Sequence, residues 1–177
     1  MKLVILDRDG TINYDSDDYI KRPEEWRPIP GSVEAIARLT QAGWRVVVAT
    51  NQAGIGRGLL DMEMLNAINA SMHKAVTQAG GRIEAVFYCP DTAESQSPNR
   101  KPSPGMFLAI ADRFHVSLEQ MPAIGDSLRD LQAAAAVGAR PILVLTGKGE
   151  KTRAAGGLPE GTSVYPDLAA AAEALCE

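Results

Sequence analysis

Lys2-Leu3-Val4-Ile5-Leu6 runs directly into Asp7-Arg8-Asp9-Gly10-Thr11, and this junction decides the fold. A nearly unbroken apolar run of this length is what a strand buried on both faces of a parallel sheet requires. Similar runs recur at residues 45–49, 85–88, 122–124 and 141–145. Segments of helical period lie between them. Residues 32–42 predict a helix with Ser32 as N-cap and Gly43 as its stop. Leu65, Ile68, Met72 and Val76 fall at i+3/i+4 spacing and give a second helix its apolar stripe. Ser103-Pro104 reads as the cap and first turn of a third, which buries Met106, Phe107, Ile110 and Phe114. A fourth, residues 128–137, ends at Gly138. Repeated β-α-β units with right-handed crossovers predict one α/β domain over residues 1–177, a three-layer Rossmann-like parallel sheet with helices on both faces. Ligands of such folds bind beyond the carboxyl ends of the strands.

Composition narrows what that ligand is. The 177 residues are 45% hydrophobic and carry 18 Lys+Arg against 22 Asp+Glu, a net charge of −4. A chain of this size buries roughly 70% of its unfolded surface, so metal is expected to serve chemistry and not folding. The acidic balance argues against nucleic acid or an anionic membrane as partner, so any phosphorylated ligand must be held by a local cationic cluster. Cys89 and Cys176 are too few for a disulfide framework. With no apolar run near the length of a signal core or a spanning helix, the expected place of work is the cytoplasm.

The residues that follow each strand test the strand-end rule. They are Asp7-Arg8-Asp9-Gly10-Thr11, then Thr50-Asn51-Gln52, then Cys89-Pro90-Asp91, then Gly125-Asp126-Ser127 with Asp130 further on, while Arg100-Lys101-Pro102 precedes the third helix. Carboxylates, a hydroxyl and a lysine therefore converge on one sheet edge. Several carboxylates in one pocket raise one another's pKa unless a cation sits among them. Magnesium, which takes one or two carboxylates with waters and substrate phosphate, suits Asp7 and Asp126. Lys101 and Thr50 add donors that a phosphate accepts.

These four segments, in this order and structural context, resemble the motifs of the haloacid dehalogenase (HAD) superfamily. The strings at residues 7–13 (DRDGTIN), 50–58 (TNQAGIGRG) and 100–106 (RKPSPGM) are similar to its heptose-bisphosphate phosphatase branch, over nearly the whole chain and without a large inserted cap domain. The resemblance implies a HAD fold and a cytoplasmic, monomeric, magnesium-dependent phosphatase acting on a small phosphorylated sugar. It would remove the C7 phosphate of a heptose 1,7-bisphosphate on the route to lipopolysaccharide core precursors. Asp7 would be the nucleophile that forms an aspartyl-phosphate, and Asp9 the acid and then the base. Magnesium would be held by the Asp7 and Asp126 carboxylates and the Asp9 backbone carbonyl. Thr50, Asn51, Gln52 and Lys101 would bind and stabilise the transferring phosphate. Asp130 would orient Lys101 or metal-bound water, or serve simply as an acid in the first turn of a helix.

Residues 13–30 show no period and are expected to face substrate. The resemblance places Asp15, Ser16, Asp17, Asp18 and Tyr19 against the sugar and Arg100 on a second phosphate. Arg57 is expected to be solvated. His73 and His115 are expected to be structural. The branch commonly carries a zinc loop, Cys-x-His then Cys-x-Cys, whereas this chain reads Cys89-Pro90-Asp91 and Ser97-Pro98-Asn99. The expectation is therefore no zinc.

Two other readings compete. A phospho-accepting receiver domain would use Asp7, Asp9, Asp91, Ser127 and Lys148, but has no need of Lys101, the Asp126/Asp130 pair or the long 13–30 loop. Among phosphatases, histidinol phosphate or a broad range of sugar phosphates is the alternative substrate. Neither a glycine-rich dinucleotide turn nor a G-x-x-x-x-G-K-[ST] loop is present.

Overall fold

Alternation along the first strand builds two cores at once. In the computed structural model, which describes residues 1–177, β1 (Leu3–Leu6) sends Val4 and Leu6 to one face and Leu3 and Ile5 to the other. The next strand, β2 (Arg45–Asn51), repeats this with Val46 and Val48 opposed to Val47 and Ala49. Each fully buried aliphatic side chain contributes about 1.5–3 kcal/mol relative to exposure. The helices α1 (Ser32–Gln41) and α3 (Met62–Gln78) cover the first face, together with α7 (Leu168–Leu175). The second is covered by α4 (Gly105–Phe114) and α5 (Leu128–Ala136). A one-turn α2 (Ala53–Gly56) follows β2, and α6 (Gly149–Ala155) follows β5.

The remaining strands are β3 (Ile83–Cys89), β4 (Pro122–Gly125), β5 (Arg140–Val144) and β6 (Ser163–Tyr165). All six are parallel, in the order β3-β2-β1-β4-β5-β6. The chain winds outward from β1 in one direction and from β4 in the other, so the crevice opens where β1 meets β4. Leu6 pairs with Ile124, and the Asp7 amide donates to the Ile124 carbonyl at 2.9 Å. Asp7 and Asp126 consequently leave the sheet as neighbours.

Several expected boundaries shift. The first helix is not capped by Ser32. Gly31, at φ +86°, is the N-cap, and the buried Ser32 hydroxyl donates to the Ile12 carbonyl at 2.6 Å, tying the helix to the motif loop. The helix after Lys101 begins at Gly105 with Pro104 as cap, so Ser103-Pro104 is loop. Capped by Asp61, α3 begins three residues before the apolar stripe does. β6, α2, α6 and α7 were not expected. Three residues are too few for a strand pattern, and the Ala-rich run of α7 has no polar face to mark its period.

Candidate active site

The centre of the crevice is a buried lysine between two acids. Lys101 Nζ donates to Asp130 Oδ1 at 2.6 Å, to Asp7 Oδ1 at 3.1 Å and to the Ala49 carbonyl at 2.7 Å. Three partners satisfy the three donors of the ammonium. Asn51 holds the lysine's own backbone from both sides, its Oδ1 accepting from Lys101 N (3.0 Å) and its Nδ2 donating to Lys101 O (3.1 Å). On the far side of Asp130, Ser127 N and Oγ both donate to Oδ2 (3.1 and 2.9 Å), forming the capping box of α5. Asp130 thus caps a helix with one oxygen and accepts from Lys101 with the other.

Oxygens of Asp7, Asp126 and Asp130 lie within 4.8 Å of one another. Burial first, and Asp130 second, push Asp7 well above its ordinary carboxylate value against the pull of Lys101. Burial, followed by the Asp130 charge, pushes Asp126 to about 7. Burial also disfavours charge on Asp130, but Lys101 and Ser127 outweigh it and hold that group low. Both Asp130 oxygens are engaged, whereas Asp7 Oδ2 and Asp126 Oδ1 receive no donor from the chain. Two hard oxygens short of positive charge fit a divalent cation of the magnesium type.

A third segment fixes this corner. The Lys148 amide donates to Asp126 Oδ2 at 2.9 Å, Thr152 Oγ1 to the Asp126 carbonyl at 2.8 Å, and Thr146 Oγ1 to the Gly10 carbonyl at 2.7 Å. Gly10, at φ +88°, lies so close to Asp126 that a Cβ would enter the carboxylate.

Asp9 is held separately. Arg8 donates from Nε to Oδ1 (2.8 Å) and from its Nη2 to Oδ2 (3.2 Å), while Asn13 Nδ2 and Gln52 Nε2 add donors at 2.9 and 3.2 Å. Burial works against the charge, but these donors hold the Asp9 carboxyl below its ordinary value.

An open cleft of about 200 Å³ brings Asp7, Asp9, Thr50, Asn51, Lys101, Asp126 and Asp130 together with Asp15, Ser16, Asp17, Tyr19 and Arg100. Two expected binding residues are not on that wall. Gln52 is buried and turns inward to Asp9 and Thr50 Oγ1, while Asp18 lines a shallow groove with Lys21, Glu25 and Arg27. Arg57 pairs with Glu94 at the surface, and His73 and His115 are exposed and away from the cleft. Cys89 is buried, its thiol donating to Asp91 Oδ2 at 3.6 Å and touching Ser97 Oγ at 3.9 Å. The receiver-like use of Lys148 does not occur, because its ammonium faces Asp15 at 3.7 Å and Lys101 takes Asp7.

Comparison with known proteins gives the family. The family model described as polynucleotide kinase 3 phosphatase matches residues 2–129, and the HAD-hydrolase-like model matches residues 98–171. D-glycero-beta-D-manno-heptose-1,7-bisphosphate 7-phosphatase of Bordetella bronchiseptica is 58% identical over 177 residues, covering 100% of this chain and 99% of that protein. The chain belongs to the HAD-like phosphatases. The Pseudomonas putida protein of the same name is 54% identical over 99% of both chains. A crystal structure of B. bronchiseptica D,D-heptose 1,7-bisphosphate phosphatase complexed with magnesium and phosphate superposes with a TM-score of 0.97 at 59% identity, covering 99% of this chain and 98% of that one.

This HAD-like phosphatase is thus a phosphoric monoester hydrolase, and three cations to which the phosphatase reading gave no role stand in or behind its cleft. Arg8 is wholly buried. Arg129 and Lys148 line the cleft. Arg129 stands near enough to Arg100 that, after burial, it is the main cause of the lowered Arg100 pKa, and neither guanidinium has a carboxylate partner within 4.0 Å. Arg100 donates only to the Asp91 carbonyl, at 3.2 Å.

Proposed function

We propose that this protein removes the C7 phosphate of D-glycero-D-manno-heptose 1,7-bisphosphate, with magnesium, through an aspartyl-phosphate on Asp7. The observation that carries the reaction is the Asp7–Lys101–Asp130 array beside Asp126. The substrate is supported by the 58% identity to a phosphatase of that name and by the two unpaired guanidiniums of Arg100 and Arg129 at the cleft wall.

Asp7 attacks phosphorus and the bond to the sugar oxygen breaks, with a proton from Asp9 passing to that oxygen. Asp9, which its donors keep ionised in the free protein, takes up that proton once the negative charge of the substrate phosphate lies beside it. Asp9 then takes a proton from water, which hydrolyses the aspartyl-phosphate and regenerates the Asp7 carboxylate. Lys101, Thr50 and Asn51 bring positive charge and polar groups to the transferring oxygens from side chains already held by their own partners, with Lys101 Nζ sharing its Asp7-directed donor with the phosphate, so little reorganisation accompanies charge development. Asp7 and Asp126, with the Asp9 backbone carbonyl, are the residues that would hold magnesium. When bound, the ion supplies positive charge that neutralises the phosphoryl oxygens. Zinc has no part in this reading, since the Cys89 region offers one thiol among a carboxylate and a hydroxyl.

Asp15, Ser16, Asp17 and Tyr19 face the sugar, and Arg100 with Arg129 takes the distal phosphate. The protein acts in the cytoplasm as a monomer on this small substrate, with neither nucleic acid nor membrane as partner. Two free cysteines suit a reducing compartment, and the locally placed cations suit an anion met by a chain of net charge −4. Phosphate release from the heptose bisphosphate, its 7-monophosphate, histidinol phosphate and hexose phosphates, with magnesium, tests the assignment. The bisphosphate should have the highest kcat/KM, and preference for histidinol phosphate or an absence of preference would overturn it.

A further inference from the structure

Arg8 is a fully buried guanidinium that the reaction as described does not use. Strand parity explains its place. Val4 and Leu6 face the core beneath α1 and α3, and Arg8 continues that face one step beyond the strand, directly under α3. There Arg8 Nη1 meets Asn69 Oδ1 at 3.3 Å. Asn69 lies four residues after Leu65 and three before Met72, on the flank of the buried stripe of α3. One edge of the guanidinium is therefore braced by a helix, and the other holds both oxygens of the Asp9 carboxylate.

The fork is not needed to shape the loop. The turn at residues 8–13 is closed by the Arg8 backbone carbonyl, which accepts from the amides of Thr11, Ile12 and Asn13 (3.2, 2.8 and 3.3 Å). Any side chain at position 8 retains that carbonyl. Nor does the Arg8–Asp9 pair join distant segments, because its members are adjacent in sequence. What the side chain adds is a two-point clamp on a carboxylate that otherwise accepts only single donors from Asn13 and Gln52. A planar bidentate donor does this, and an ammonium on a flexible stem does not.

We propose that Arg8, braced by Asn69, is a positioning residue that fixes the Asp9 carboxylate where it exchanges its proton with the leaving-group oxygen. The guanidinium keeps its own protons throughout. This rests on the reading of Asp9 as the acid and base. Its consequence is a dependence on the leaving group. Sugar alkoxide needs a proton to depart, whereas p-nitrophenolate leaves without one.

The test compares kcat/KM, which reports events up to leaving-group departure, for the heptose bisphosphate and p-nitrophenyl phosphate in Arg8→Met, Arg8→Lys, Asn69→Ala and Asp9→Asn. Arg8→Met should lose about 10²-fold on the sugar phosphate and no more than several-fold on the aryl phosphate. Arg8→Lys should not rescue it. Asn69→Ala leaves the Arg8–Asp9 pair in place and should show the same split at several-fold, which keeps the test decisive if Arg8→Met does not fold. Equal losses on both substrates in Arg8→Met or Asn69→Ala, alongside a clear split in Asp9→Asn, would overturn the role of Arg8. No split in Asp9→Asn would overturn the acid–base reading itself.

Discussion

Lys101 Nζ stands 2.6 Å from Asp130 Oδ1, closer than the 3.1 Å that separates it from Asp7 Oδ1, so the lysine is anchored on Asp130 and presented to Asp7. Asp130 is in turn fixed at the start of α5 by Ser127. The positive charge beside the proposed nucleophile is therefore positioned by a helix cap. Burial opposes that charge, but Asp130 and Asp7 raise the Lys101 pKa above its ordinary value, so it stays ionised across the working range.

Replacing this cation tests both of its effects. Lys101→Met should lower kcat by about 10²–10³-fold, the cost of removing one preorganised donor from a developing charge. It also leaves Asp7 and Asp130 buried without a counter-ion. Breaking such a pair costs about 3–5 kcal/mol, which at this chain length lowers Tm by roughly 10 °C. Steady-state kinetics and calorimetry check the two effects separately, and a variant of unchanged Tm would contradict the buried-pair geometry.

Gly10 gives a prediction that depends on space and not on charge. Its φ of +88° and its approach to Asp126 leave no room for a methyl group. Gly10→Ala should displace the Asp126 carboxylate and weaken magnesium binding at least tenfold, while circular dichroism still reports the native fold. Titration calorimetry with magnesium measures the first effect. Wild-type affinity in this variant would place the metal away from Asp126.

The strand-end rule reached Asp7, Thr50 and Asp126, because apolar runs mark buried strands and a parallel sheet dictates which end faces the ligand, whereas Lys101 was reached from its place ahead of the third helix. Arg8 was hidden by its company. Beside two aspartates an arginine reads as solvated, and only the parity Val4, Leu6, Arg8 signals that it points inward. Arg129 carries no expected role, and Lys148 enters only through the receiver reading, for a different reason. Their place in the cleft is set by α5 following Asp126 and by the β5–α6 loop reaching Gly10 and Asp126, long-range relations that no local pattern encodes. Gln52 is the converse, a polar residue in a motif string that the fold turns inward as a donor to Asp9.

The raised groups make stability depend on pH and on magnesium together. In the metal-free protein Asp126 titrates near 7 against an ordinary value of 3.8, and Asp7 is shifted in the same direction. Between about pH 4 and 7 the folded state thus binds protons that the unfolded chain has released, and stability falls as pH rises through that window. Asp9 and Asp130 are lowered, so their contribution is lost only below about pH 4. Chelator-treated protein should lose Tm from pH 5.5 to 8, by roughly 5 °C or more. Magnesium should raise Tm far more at pH 8 than at pH 5.5, since its ligands must first be deprotonated. Equal increments at the two pH values, in a scanning calorimeter, would refute metal binding by Asp7 and Asp126.

Arg100 and Arg129 present like charges to each other at the cleft wall with no carboxylate to offset them. Such an arrangement costs free energy in the unliganded protein and becomes favourable when an anion bridges the pair. A substrate with one phosphate, already engaged at Lys101, leaves that cost in place; a second phosphate removes it. Arg100→Met and Arg129→Met should therefore each raise KM for the bisphosphate by about 10–100-fold, the worth of a charge-assisted hydrogen bond, with kcat on the monophosphate little changed. The Arg129→Met protein should also be slightly more stable than wild type, because the repulsion is gone and Arg129 is exposed. Were the pair merely solvated, neither variant would separate the two substrates and neither Tm would move. Kinetics on both substrates and a melting curve on each variant distinguish the cases. A uniform loss on both substrates would instead place the two arginines on the transferring phosphate.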